Sequence, residues 1–308
     1  MSMHLAREVV KAFVPRRHRF ALRRATLGLV HKGNSRFCRC CRSRVRRFRS
    51  FGHRKRENAQ CPVCGALERD RAVSYYFDLH PGLLTGTRRV LHVAPERAIA
   101  YRLQRWDRRS YVSIDIEPGA ADRVMDLTDL DFRDNSFDAV YCSNVLEHID
   151  RDREAITEMR RVLTPFGWAM ILVPLFGETT HEDLSIADPA ERERLYGQPD
   201  HVRAYGIDVA ERLAGCGFDV WVEQPARGLT QEEAEAQGVA PDEVVFLCKK
   251  PAPGEKPAAR TLPGNFVPAY SRQPALRNRY TAAFYVNPPL ERLREQEAPP
   301  SARRAGWG

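Results

Sequence analysis

Four of the eight cysteines in this 308-residue chain fall in two CxxC pairs. Cys38 and Cys41 form the first pair and Cys61 and Cys64 the second, with 19 residues between Cys41 and Cys61. A CxxC turn brings two sulfurs to one side of an ion, and two such turns supply the tetrahedral thiolate set of a zinc ribbon. Pro62 and Gly65 suit the tight second turn, CPVCG. Cys40, the extra thiol of CRCC, competes as a ligand, and His53 competes more weakly. A disulfide framework is not expected, because eight cysteines in 308 residues is sparse and no secretory signal is read ahead of them. Four thiolates leave no open position, so the expected zinc is structural. Cys142, Cys216 and Cys248 sit in apolar contexts and read as core thiols.

A second group of candidates lies between residues 89 and 175, where five stretches follow in order: RVLHVAPE, YVSIDIEP, VMDLTDLDF, SFDAVYCSNVLEHI and RVLTPFGWAMILVP. Each joins an apolar run of strand length to a polar or acidic end, with room for a helix or turn before the next. That rhythm predicts a doubly wound α/β sheet, whose ligands sit at the carboxyl ends of its strands. Asp115 ends one strand 19 positions after Glu96, the distance at which a dinucleotide-type site places the acid that accepts ribose hydroxyls. Asp126 ends the next. Taken singly, each aspartate could be a helix N-cap; the two together, followed by NVLEHI and RVLTPFG, favour a cofactor.

With these residues in view, the chain from about Arg88 to Lys250 resembles the class I methyltransferases that use S-adenosylmethionine. The resemblance implies a Rossmann-like seven-stranded sheet, here behind a four-cysteine zinc ribbon. It implies that Ala94, Pro95, Glu96, Asp115 and Ile116 line the cofactor site, that Asp126 accepts from the adenine amino group while Leu127 frames the ring, and that Ser143 and Asn144 lie under the methionine part. The family's acidic residue and three glycines after the first strand align with His92, Ala94, Glu96 and Ala98. Alanine keeps the small size but loses glycine's easy positive φ, and Pro95 stiffens the turn. Glu96 is expected to take over contact with the ammonium or ribose. The ribbon with NAQCPVCGALERDR, the APE loop and DPAERERLYGQPDHVRAYG resemble zinc-ribbon methyltransferases of bacteria, which implies a carbohydrate or other small hydroxylated acceptor.

Acceptor chemistry is expected in the long connection from Pro174 to Gly206, a cover over the strand ends. Methyl transfer is an in-line displacement that needs alignment, and a hydroxyl acceptor must also lose its proton. His201 is the expected base, helped by Asp200 or Tyr205, with His181 second; each also reads as an ordinary lid residue. Glu147 and His148 resemble half of a metal-binding ExxEH helix start, but Asn144 stands at its first position, and a packed helix start is the expected reading.

Charge divides the chain. Residues 1–60 carry 18 Lys or Arg against two Glu, a net of +16, whereas residues 61–308 carry −7. The expected organisation is a basic amphipathic arm (1–35), the ribbon (36–67), a linking helix (68–87, its helical part read as Glu68–Leu79), the methyltransferase domain (88–250), whose last two strands, DVWVEQ and EVVFLCKK, pair as the antiparallel end of the sheet, and a Pro-rich disordered tail (251–308). The arm reads as a solvated face or as a helix on an anionic membrane surface, which implies a cytoplasmic protein peripheral to the inner face. Nucleic acid is the weaker partner, since few aromatics interleave with the arginines. Two rivals to a small acceptor are kept: an RNA methyltransferase gripping nucleic acid with ribbon and arm, and a non-catalytic scaffold with a decayed cofactor loop. Oligomeric state is not legible.

Overall fold

The computed structural model describes residues 24–52, 55–104 and 110–251. The Pro-rich tail and most of the basic arm lie outside them, as does His53. A short helical stretch, residues 24–30, opens the described chain, and two antiparallel hairpins follow: β1 (Lys32–Cys38) with β2 (Ser43–Val45), then β3 (Arg49–Phe51) with β4 (Arg56–Gln60). The first strand therefore begins inside the segment expected to be the arm. Helix α1 (Glu68–Leu79) follows, with the boundaries read from sequence, and then α2 (Pro81–Thr85).

The sheet is built from β5 (Val90–Val93), β6 (Tyr111–Asp115), β7 (Arg123–Val124), β8 (Phe137–Ser143), β9 (Leu163–Leu172), β13 (Asp219–Glu223) and β14 (Val245–Lys249). Its order is β13-β14-β9-β8-β5-β6-β7. The strands from β9 to β7 are parallel, and β14 runs antiparallel to both β9 and β13, the end expected from DVWVEQ and EVVFLCKK. The order reverses at β5, which pairs with β6 on one side and β8 on the other. In open α/β sheets the ligand crevice opens at such a switch point, outside the carboxyl ends of the strands.

Alternation along the strands makes a core on each face. Ala139 and Tyr141 of β8 face Val73 and Phe77 of α1, with Ile99 and Leu103 of α3 (Arg97–Gln104). Val140 and Cys142 face Ile156 and Met159 of α4 (Asp152–Val162), with Val209 and Leu213 of α6 (Val209–Gly215). The cover between Pro174 and Gly206 is no simple loop. It folds as a small sheet of β10 (Leu175–Gly177), β12 (Arg203–Gly206) and β11 (His181–Glu182), carrying helix α5 (Pro189–Tyr196). Asp188 caps α5 through the amides of Ala190 and Glu191. A further helix, α7 (Gln231–Gln237), is inserted between β13 and β14, and Thr230 and Glu233 form its capping box. Among the described residues no helix is long and apolar enough to cross a membrane.

Candidate functional site

The four paired cysteines converge. All are buried, and their sulfurs lie within 4.8 Å of one another, with Cys38 to Cys64 at 3.6 Å and Cys41 to Cys61 at 3.8 Å. A disulfide would bring sulfurs to about 2 Å, whereas a tetrahedral zinc with bonds near 2.3 Å holds them about 3.8 Å apart. The donors fit zinc. The two turns share one geometry: Arg42 N–H donates to the Cys38 carbonyl at 2.7 Å, and Gly65 N–H to the Cys61 carbonyl at 2.9 Å. Both residues after the second cysteine are left-handed, Gly65 at φ 84° and Arg42 at φ 58°. Cys40 does not compete. Its sulfur turns to the Asp70 carbonyl at 3.2 Å and Ser74 Oγ at 3.0 Å on α1.

The ribbon is locked onto the sheet domain by Arg71, which is fully buried. Its guanidinium donates to the carbonyls of Ala66, Ala59 and Gly238 at 2.6, 2.8 and 2.8 Å and lies 4.1 Å from the Phe48 ring centroid. Ribbon, α1 and the α7 insertion thus meet on one side chain. As a result the second cysteine turn overhangs the end of β5. Between them is a cavity of about 280 Å³ lined by Cys61, Gly65, Arg69, Asp70, Glu96 and Ala98, among others. Glu96 Oε1 is buried there without a hydrogen bond, and Arg69 Nε and Asp70 Oδ1, also without one, form a long ion pair at 3.9 Å. Burial, opposed by the Arg69 charge, pushes the Asp70 carboxyl up to about 6.

The loop after β5 keeps the turn that glycine would make. Ala94 is left-handed at φ 45°, a conformation costing an alanine about 1–2 kcal/mol, and its N–H is tied to the Ile114 carbonyl at 2.8 Å. Glu96 turns back to buried His92, Oε2 to Nε2 at 3.0 Å, and His92 Nδ1 meets the Tyr111 hydroxyl at 2.9 Å. Asp115 ends β6 with Oδ1 accepting from Glu117 N–H at 2.9 Å, and neighbouring Ile116 is 70% exposed. Asp126 lies two residues past β7 and accepts from Thr128 N–H and Oγ1, both at 2.8 Å, while Leu127 is buried. Ser143 is buried at the end of β8 and donates to Asn144 Oδ1 at 3.2 Å. Asn144 is left-handed at φ 54°. Two left-handed residues therefore end the two adjacent central strands, strain of the kind that gathers at ligand sites.

Beyond Asn144 the chain makes a 3-10 turn, Leu146–His148. It carries what the sequence reading undervalued. Glu147 and His201 are each 1% exposed, and with His148 they bring one ligand-type atom apiece within 4.8 Å of one another. The His148 and His201 rings meet edge to face at 4.7 Å. Neither Glu147 oxygen makes a hydrogen bond of good geometry, although the Asn144 side chain and the Glu147 amide lie close enough to favour the carboxylate, and His201 Nε2 makes none. Burial raises the Glu147 carboxyl to about 7 and lowers His201 below the usual imidazole range. His201 Nδ1 lies 2.9 Å from the Tyr196 carbonyl, which can only accept. That nitrogen is the N–H, so Nε2 keeps its lone pair.

His201 reaches this place because α5 stops at Gly197, left-handed at φ 89°, and because Arg203 straps the following strand down. The Arg203 guanidinium is 1% exposed. It donates to the Leu146 and Asp150 carbonyls at 2.8 Å each, to the Ile149 carbonyl, and to Glu182 Oε2 at 2.8 Å. Arg212 holds Asp152 and Glu182 at 2.6 and 2.8 Å, and the Tyr205 hydroxyl donates to Asp152. Tyr205 thus anchors the cover and does not serve His201. Asp200 pairs with His148 Nδ1 at 3.2 Å instead. His181 lies on exposed β11, outside the cluster.

Residues 72–171, from α1 to the end of β9, match the methyltransferase domain family. On this sheet order the match supports a class I methyltransferase core, with no acceptor identified. A search of curated proteins finds no match. Among solved structures, an S-adenosylmethionine dependent methyltransferase from Mesorhizobium loti aligns over 57% of this chain and 97% of its own, at 12% identity and TM-score 0.40. The N-methyltransferase NodS from Bradyrhizobium japonicum, in complex with S-adenosyl-L-homocysteine, aligns over 58% and 88% at 16% identity and TM-score 0.36. The [4+2]-cyclase SpnF aligns over 67% and 87% at 13% identity and TM-score 0.40.

Proposed function

We propose that the chain transfers the methyl group of S-adenosylmethionine to a small hydroxylated acceptor, with a structural zinc held by Cys38, Cys41, Cys61 and Cys64. The observation that carries this reading is the cavity at the end of β5, where Arg69, Asp70 and Glu96 bury polar atoms that make no hydrogen bond within the protein. One guanidinium beside two carboxylates suits the carboxylate and ammonium of an amino-acid tail. Asp115 at the end of β6 suits ribose hydroxyls, exposed Ile116 and the Asp126–Leu127 turn suit an adenine, and Ser143 and Asn144 lie below the amino-acid part. The left-handed turn at Ala94 supports a working loop over a decayed one.

When bound, S-adenosylmethionine supplies an electrophilic methyl group on a sulfonium. The chain's own work is to align the acceptor, shed water and take the acceptor's proton. His201 is the proposed base, since a neutral imidazole with a bare Nε2 can take a proton at neutral pH. The cover of β10, β12, β11 and α5 excludes water. The basic arm belongs to the same proposal as a contact for an anionic membrane surface, on charge alone.

Calorimetric titration of S-adenosylhomocysteine into zinc-loaded protein tests the reading. Micromolar binding that is lost in Asp115→Ala, with the fold retained, is the expected result. Absence of binding to the intact protein would remove the cofactor assignment and leave the scaffold reading in its place.

A further inference from the structure

We propose that Glu147, His148 and His201 form a binding site for a divalent transition-metal ion, separate from the thiolate cluster. Three donors of suitable type already converge: a carboxylate and two imidazoles with ligand atoms within 4.8 Å of one another. An ion with bonds of about 2.1 Å holds neighbouring ligand atoms roughly 3–4 Å apart, so a closure of about 1 Å completes the set.

A second observation points the same way. Both oxygens of Glu147 and Nε2 of His201 are buried without a hydrogen bond of good geometry, the Asn144 side chain and the Glu147 amide lying close to the carboxyl. Two residues that are each 1% exposed do not ordinarily leave three polar atoms unsatisfied side by side. The rings are also set as metal ligands are set. Each is fixed through Nδ1, His201 against the Tyr196 carbonyl at 2.9 Å and His148 against Asp200 at 3.2 Å. In each ring that leaves Nε2 as the lone-pair nitrogen, the arrangement in which imidazoles bind metals.

The donor set selects the ion. Two imidazoles and one carboxylate suit manganese, iron, cobalt or zinc, whereas calcium and magnesium prefer oxygen donors throughout. Three protein ligands leave coordination positions open, unlike the closed thiolate cluster. Asn144, three residues before Glu147, directly follows the end of β8, so the cluster stands next to the strand ends. An acceptor hydroxyl bound there would lose its proton more readily by coordination, and His201 would act as a ligand in place of a base. This last step rests on the methyl-transfer reading; the metal site itself does not.

Manganese(II) is the probe, because it takes nitrogen and oxygen donors and does not compete for the zinc thiolates. Zinc-loaded full-length protein is titrated with manganese(II), and the free-ion signal is followed by electron paramagnetic resonance. The expected result is one manganese per chain, weakened 10-fold or more by Glu147→Gln and by His201→Ala, with S-adenosylhomocysteine binding unchanged. His148→Ala serves as a second variant, since His148 is partly exposed and its loss leaves the core packed. No bound manganese or cobalt at millimolar concentration, or affinity unchanged in all three variants, overturns the site and returns His201 to the role of base. Loss of S-adenosylhomocysteine binding in the intact protein would instead count against the methyl-transfer reading while leaving the metal site standing.

Discussion

Arg203→Met is the substitution whose consequences can be worked furthest. The guanidinium is 1% exposed and gives hydrogen bonds to three backbone carbonyls of the turn that carries Glu147 and His148. Hydrogen bonds from a charged group are worth about 1.5–3 kcal/mol each, an upper sum near 4.5–9 kcal/mol. Two offsets reduce it. Glu182 keeps Arg212 at 2.8 Å, so no carboxylate is orphaned. Asp150 is exposed and Ile149 half-buried, so water can replace the cation at those two carbonyls. What is lost outright is the bond to the buried Leu146 carbonyl and the register of β12 against the turn. A destabilisation of about 3–4 kcal/mol follows, in the range for breaking a buried ionic contact. For a domain of this size that lowers Tm by roughly 10 °C. Urea unfolding followed by circular dichroism measures the stability, and manganese titration of the same sample reads the position of His201. S-adenosylhomocysteine binding should survive, because the β5 cavity shares no residue with this network. Arg203→Lys, which keeps the charge and loses the fork, should fall between. A loss below about 1 kcal/mol with manganese affinity unchanged would refute the reasoning, since the strap would then hold nothing in place.

Three other expectations are open to direct test. Hydrogen bonds from Arg212, joined by Arg203, hold the Glu182 carboxyl down to about 2, so its stabilisation is present above pH 4.5 and lost as pH falls towards 2; urea midpoints of the native chain and Glu182→Gln should converge over that window, and a constant gap would contradict the assignment. Cys38→Ser should lose the zinc and, with it, S-adenosylhomocysteine binding, because the second cysteine turn roofs the cavity; Cys40→Ser should keep one zinc per chain by metal analysis, since its sulfur faces α1. Ala94→Gly relieves about 1–2 kcal/mol of left-handed strain but frees the unfolded chain by about 0.5–1 kcal/mol; denaturation should find it neutral to slightly stabilising with ligand binding kept, and Ala94→Val should weaken both.

How much of this was legible beforehand depended on whether the signal was local. Helix α1 could be read to the residue because Glu68 and Asp70 open it and a full amphipathic run follows. Six of the seven strands could be read because each is a run of mostly buried side chains, whereas β7 is two exposed residues placed by its pairing with β6; the antiparallel β14 came from the order of runs and the resemblance. The cysteine turns were fixed by spacing, yet the left-handed state of Arg42 was not, because no glycine marks it. The cover was read as a loop for a similar reason. Strands of two to four residues carry no periodicity, and β10, β12 and β11 exist through pairing with one another. Glu147 was passed over because sequence shows a glutamate at a helix start and cannot show that the cover buries it. Arg203 and Arg71 were invisible for a related reason: both are cations buried among carbonyls, where charge alone would have put them on the surface.

The distribution of unsatisfied atoms ties the two pockets together. Among the described residues, seven buried side-chain polar atoms of Arg69, Asp70, Glu96, Tyr141, Glu147 and His201 make no hydrogen bond of good geometry. These six residues come from α1, the loop after β5, β8, the turn after it and the cover, which share little sequence and one edge of the sheet. At about 1–3 kcal/mol for each orphaned atom, the cost is of the same order as the 5–15 kcal/mol by which a whole domain is stable. A fold that depended on its own contacts alone would have replaced these groups with apolar ones. Their survival at the switch point of the sheet, beside two strained left-handed residues and under three separate covers, is the signature of groups kept for ligands. On the proposed methyl-transfer reading, the cavity under the ribbon would take the amino-acid tail of a cofactor and the Glu147–His148–His201 cluster would meet what receives the methyl group.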